Sequence, residues 1–372
     1  MNNPLLELES LPAFGRIEAC HARPALEAVL EENRARLAEL TAQPCPTFAS
    51  LVAPVEELSY RLSRTWSPIG HLNAVANSAQ MREAYNECVP LLTAYSSELG
   101  QNTALKAGYA HIFEHEGNSL EPPQRKVVEN ALRDFRLAGV DLRTDQKTRY
   151  CEVAQRLAQL ASKFSENVLD AAGAYTRSVT DSAELAGLPA NAIDRAAADA
   201  READQPGWLF KLDQPTYMTV MASAESPQLR RDIYEAWITR ASELGPSAGQ
   251  FDNNPIIAEI LPLRHELARL VGFNDFGDYA LATRMAKSSK QVLAFLDDLA
   301  RRCLPAARRE FSDLEEFAGR KLNAWDMAFY GERLQERRFK VSQEALRPYF
   351  PLPKVLDGLF ALIRRQIGRA HV

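Results

Sequence analysis

Cysteine is scarce in this 372-residue chain, and the five present (Cys20, Cys45, Cys88, Cys151, Cys303) are odd in number and scattered, with no C-x-x-C pair. That pattern excludes a disulfide framework and a cysteine-built zinc site. Long apolar runs are also missing. No stretch approaches the roughly 18 apolar residues that a membrane-spanning helix needs. The opening MNNPLLELESLP has no basic segment followed by an apolar one, so no secretory leader is expected and the reading is a protein of a reducing cytoplasm. Positive charge is not in excess either: 44 Lys+Arg stand against 49 Asp+Glu, a net charge of −5. The arginine doublets at 230–231, 301–302, 308–309 and 364–365 sit among acids in helical stretches, and no domain-wide field is available to hold nucleic acid or an anionic membrane. Phosphate-cradling G-x-x-x-x-G-K-[ST], dinucleotide G-x-G-x-x-G and hydrolase G-x-S-x-G patterns are all absent.

What the chain does have is helical periodicity. Residues 144–171 carry one apolar stripe (Tyr150, Val153, Leu157, Leu160, Phe164, Val168) behind the candidate caps Thr144 and Asp145. In 24–42, Pro24 reads as a first-turn residue followed by Leu26, Val29, Leu30, Leu37 and Leu40. Similar patterns cover 47–64, 78–99, 121–137, 227–243, 255–271, 288–317 and 353–366. Tyr175–Val179 and Gly207–Leu212 alternate apolar and polar residues and read as a small strand pair around an Ala-rich helix, 189–203. The expected fold class is all-α, mostly helical with one small strand pair. At roughly 150 residues per domain the length suggests two or three domains.

The six histidines are candidate metal ligands. A zinc peptidase of the H-E-x-x-H type sets two histidines one helical turn apart, with the glutamate activating a metal-bound water. His265-Glu266-Leu267-Ala268-Arg269 begins that way but ends on a cation, and His115-Glu116-Gly117-Asn118-Ser119 runs into a helix stop. His111-Ile112-Phe113-Glu114-His115 fits the inverted H-x-x-E-H pattern, with Glu184 as the downstream acid one would try for a third ligand. Inverted-motif peptidases belong to mixed α/β folds, whereas this chain is nearly all helix. His111, Glu114 and His115 therefore read as a polar helix end. The dense aromatic segment Trp325–Tyr330 (WDMAFY) reads as a core or interface patch, and acidic pairs such as Glu31-Glu32 and Asp297-Asp298 read as solvated helix faces. Residue chemistry alone yields no catalytic, cofactor-binding or metal-binding residue.

Longer blocks carry more information. They are NPLLELESLPAFGRI (3–17), SPIGHLNAVANSAQMREAYN (67–86), ENALRDFRLAGV (129–140), RLAQLASKFSENVLDA (156–171), VTDSAELAGLP (179–189), RHELARLVGFNDFGDYALATRMA (264–286), WDMAFYGERL (325–334) and LRPYFP (346–351). Together they resemble the oligopeptidase A branch of the thimet-oligopeptidase (M3) family of zinc metallopeptidases, collinearly over roughly 1–366. The resemblance implies a mostly helical peptidase with one Zn2+ per full-length protein and short peptides as substrates, cleaved signal peptides among them. It also implies a cytoplasmic protein, monomeric when full length, with no nucleic-acid or membrane partner.

The family's zinc sits on an H-E-F-G-H helix that follows the LRPYFP-like block, and no such segment occurs in this sequence. The expectation is thus an N-terminal helical region over 1–220, the first part of the catalytic domain over 221–366, and no activity for this chain alone. Ile367–Val372 (IGRAHV) departs from the preceding helix pattern, and ATC GGA AGA GCA CAC GTC, a string that would encode it, looks like a common sequencing-adapter string. The hexapeptide is expected to be a non-native tail on a truncated reading of a longer gene. Two other readings remain open: a non-catalytic helical module that holds peptides or a partner, and an inverted-motif metallopeptidase using His111 and His115.

Overall fold

The computed structural model describes residues 3–7, 11–340 and 343–368. The helices run in the order α1 (Ala19–Thr41), α2 (Ala53–Val75), α3 (Ala79–Gly100), α4 (Thr103–Glu116), α5 (Pro122–Leu137) and α6 (Thr144–Ala174). Strand β1 (Thr176–Val179), α7 (Ala190–Glu202) and β2 (Trp208–Lys211) follow, and then α8 (Gln214–Ser223), α9 (Pro227–Ile238), α10 (Asn254–Leu270) and α11 (Phe276–Leu281). The chain continues through α12 (Ser289–Ala318), α13 (Met327–Phe339), α14 (Gln343–Leu346) and α15 (Leu352–Gln366). The mostly all-α expectation holds. The polypeptide forms two compact units that interleave along the sequence: Met1–Glu166 with Asn254–Leu293, and Asn167–Asn253 with Ala294–Val372.

In the first unit α1 packs on α2 and α3, and α4 packs on α5. The i, i+3/i+4 spacing of Leu26, Leu30, Leu37 and Leu40 puts these side chains on one face of α1, where they meet Leu51, Ile69, Leu105 and Ile112. Leu26, Ile69 and Ile112 are completely buried, each stabilising the unit by about 1.5–3 kcal/mol before entropy is charged against it. A smaller cluster joins Tyr150 and Val153 of α6 to Leu267 of α10. Two bidentate ion pairs one heptad apart run beside it: Arg149 donates to Glu266 at 2.6 and 2.9 Å, and Arg156 to Glu259 at 2.5 and 2.8 Å.

In the second unit β1 and β2 pair antiparallel, Val179 opposite Trp208 and Thr176 opposite Lys211. Gly207 leads into β2 with φ of +80°, and a Cβ there would collide with the Val179 carbonyl oxygen. Val179, Phe210, Leu212, Val220, Leu229 and Ile233 form this unit's core.

Several boundaries differ from the sequence reading, each for a local reason. Helix α1 starts at Ala19, because the Glu18 side chain and the His21 side chain cap each other's backbone; Pro24 lies inside the helix. Phe48–Val52 forms a π-helical turn, and α2 then continues to Val75 rather than ending near 64. Helix α9 stops at Ile238 instead of 243, because Ala241 adopts a left-handed φ of +51° and its carbonyl accepts from Asn253 N. Of the expected tail, 369–372 lie outside the described residues.

Candidate functional site

Helix α4 begins at Asn102, whose side chain accepts from Leu105 N, and it buries Leu105, Tyr109 and Ile112 along one stripe. His111 and His115 lie off that stripe, one turn apart. Their rings stack with centroids 4.0 Å apart, and His115 Nδ1 lies 2.9 Å from the His111 carbonyl oxygen. The helix ends at Gly117, where a Cβ would collide with the Phe113 carbonyl oxygen. Glu116 does not face a histidine pair; its carboxylate accepts from Phe48 N at 3.0 Å and caps the π-helical turn.

The remaining candidates are engaged elsewhere. Glu184 accepts from Arg177 at 2.9 Å, and the same guanidinium donates to Asp232 at 2.8 Å. His265 is exposed on α10. Glu266 beside it is gripped by Arg149, and that hydrogen bond holds its carboxyl below the usual glutamate value. Arg269, in the position of the second histidine, donates to Asn274. Among the described residues no group of three or more His, Cys, Asp or Glu is placed to hold a metal ion.

Among the described residues, the sequence reading missed a buried ion pair. Arg230, read there as one of the arginine doublets among acids in helical stretches, is 1% exposed and pairs with Asp326, which is 0% exposed, at 2.6 Å. Its other donors reach the Ala224 carbonyl at 2.6 Å, the Glu225 carbonyl at 3.2 Å and the Trp325 carbonyl at 3.2 Å. The guanidinium also lies 4.4 Å from the Phe329 ring centroid. The second Asp326 oxygen accepts from Asn323 N and Nδ2 and from Arg320 Nη2. Burial alone would push the Asp326 carboxyl up, but the donors from Arg230, Asn323 and Arg320 outweigh it and hold it low. Both carboxylate oxygens have partners, so the arrangement joins α9 to the start of α13 without offering a reactive group. The available signal was an aspartate inside the aromatic run WDMAFY: an acid among large apolar side chains is buried only with a cation beside it.

The opposite anomaly lies further along. On α12 the large apolar side chains Leu293, Phe295, Leu296, Leu299 and Leu304 are exposed, and Leu314 is that helix's buried residue. On α15 no side chain is buried, although Leu352, Val355, Leu356, Leu359, Phe360 and Leu362 form an apolar face at helical spacing. An apolar surface of this extent marks a contact surface rather than a solvated one.

Two family models match this architecture. Residues 220–368 match the model for peptidase family M3, and residues 26–147 match the N-terminal domain of neurolysin and thimet oligopeptidase. Over 220–368 the chain is similar to peptidase family M3. It is 42% identical to oligopeptidase A of Haemophilus influenzae over 98% of its own length and 54% of that protein. It is 42% identical to oligopeptidase A of Escherichia coli over 99% of its length and 55% of the relative. A probable cytosolic oligopeptidase A of Arabidopsis thaliana is 35% identical over 99% of the chain and 54% of the relative. The chain thus spans about half the length of the curated relatives it matches. The Arg230–Asp326 pair and the exposed faces of α12 and α15 all fall within the M3 peptidase match, and the His111–His115 pair within the N-terminal domain match. The zinc that the M3 resemblance implies does not fit the residues present: H-E-x-x-H does not occur in the sequence, and the two partial matches have their glutamates bound to Arg149 and Phe48 N.

Proposed function

We propose that this chain is the N-terminal portion of a zinc-dependent M3 endopeptidase of oligopeptidase A type. The full-length protein hydrolyses internal bonds of short oligopeptides, cleaved signal peptides among them, as a cytoplasmic monomer with one Zn2+. In this reading residues 1–220 form the N-terminal helical region and 221–366 open the catalytic domain. The observation that carries it is the uncovered apolar face of α12 and α15 within the M3 match. In a folded peptidase such faces are packed against further helices. End-to-end identity of 42% with relatives about twice as long adds weight. The zinc ligands and the catalytic glutamate then belong to the remaining polypeptide, and this chain alone activates no water.

Reading the source locus past codon 366 tests the proposal. An open frame encoding H-E-F-G-H supports it. A stop directly after a genomic GRAHV would turn the protein into a non-catalytic helical module that holds peptides or a partner.

A further inference from the structure

We propose that His111 and His115 form a two-histidine site for a divalent first-row transition cation on the last turn of α4. The fold and the hydrogen bonding both point there. Because Leu105, Tyr109 and Ile112 anchor the buried stripe of α4, the two imidazoles fall together on another face of the helix. Their centroids are 4.0 Å apart with planes inclined by 26°.

A backbone carbonyl can only accept a hydrogen bond. The 2.9 Å approach of His115 Nδ1 to the His111 oxygen therefore puts the ring proton on Nδ1 and leaves the Nε2 lone pair for a metal. This is the arrangement that fixes the tautomer and aim of metal-binding histidines. The i, i+4 spacing on one helix is that at which two imidazoles reach one ion. The electrostatics agree. The pair sits where the helix dipole is negative, and Glu114 adds a carboxylate within the same turn. The neighbouring cation, Arg125, is tied to Glu129 and to the Gly117 carbonyl.

Two imidazoles, completed by water, suit Cu2+ and Ni2+ ahead of Zn2+ by the usual affinity order. Among the described residues no third protein ligand stands beside the pair, so the site binds an ion without closing around it.

The test is a Ni2+ titration of the full chain by calorimetry, together with His111→Ala, His115→Ala and, as control, His265→Ala. The parent and His265→Ala are expected to take up about one Ni2+, and each α4 variant to bind it about tenfold more weakly or not at all. Because either variant could disturb the helix end, Cu2+ electron paramagnetic resonance on the parent gives a second readout, with nitrogen coupling from two imidazoles expected. No Ni2+ uptake by the parent, uptake unchanged in either α4 variant, or a copper spectrum without two imidazole nitrogens would each overturn the proposal.

Discussion

Replacing Arg230 by methionine tests the energetics of the buried pair directly. The change removes the cation from a fully buried aspartate and withdraws donors from the Ala224, Glu225 and Trp325 carbonyls at one stroke. Breaking one side of a buried ion pair costs about 3–5 kcal/mol, because the other charge stays behind without its partner. Methionine recovers part of this, about 1–2 kcal/mol, by burying its side chain against Phe329. Asn323 and Arg320 still serve the second carboxylate oxygen. The expected net loss is about 1–4 kcal/mol, a large share of a typical domain's 5–15 kcal/mol. Asp326→Asn keeps the shape but leaves the buried Arg230 cation without its counter-charge and sets an amide donor against Asn323 or Arg320, so it should cost a similar amount, about 3–5 kcal/mol.

Because the chain has two units, the assay must be local. Hydrogen exchange of the α9 and α13 amides should accelerate sharply in Arg230→Met, while α1 and α3 of the first unit stay protected. A double-mutant cycle with Asp326→Leu should show strong positive coupling, since the doubly apolar variant no longer buries a lone charge. Arg230→Met with unchanged α9 and α13 protection, or a coupling near zero, would refute the reasoning.

Other outcomes follow from the same structure. Asp326 is held below its ordinary value of 3.8, so its contribution to stability is whole above that pH and is lost as the pH falls through the lower folded value. In acid titrations of α13 protection, Asp326→Asn should flatten this limb. Phe360→Glu on α15 removes an exposed apolar ring and breaks no packing; it should change stability by no more than about 0.5 kcal/mol while reducing the binding of an apolar fluorescent dye. Glu266→Gln weakens an exposed bidentate pair with Arg149, so its small effect on α6–α10 protection should vanish in high salt. Gly117→Ala, which sets a Cβ against the Phe113 carbonyl, should loosen the end of α4 and lower thermal stability, measurable by circular dichroism.

Much of the fold was legible because it rests on long periodic stripes. The stripe at 144–171 became α6, and the alternating segments at 175–179 and 207–212 became the strand pair, since local pattern and tertiary burial agree there. Short elements were less legible. Helices α8, α11 and α13 span few turns, and their ends are set by caps and tertiary contacts rather than by period. The start of α1 depends on a Glu–His reciprocal cap, a weaker signal than Pro24.

At the candidate site, spacing put His111 and His115 on one helix face correctly. It could not reveal that Glu116 caps Phe48 or that Glu266 belongs to Arg149, because both partners are far away in sequence. Arg230 was hidden for the same reason: nothing local separates it from Arg231, and only Asp326, 96 residues on, makes its burial tolerable.

We propose that this chain, similar to peptidase family M3 over 220–368, cleaves no peptide on its own. This is tested most directly by hydrolysis of a quenched fluorescent oligopeptide, comparing the purified 372-residue chain with the polypeptide read from the locus beyond codon 366, each with added Zn2+ and then with a chelator. The account predicts no turnover above background for the shorter chain and chelator-sensitive endoproteolysis for the longer one. Chelator-sensitive turnover by the 372-residue chain would contradict it.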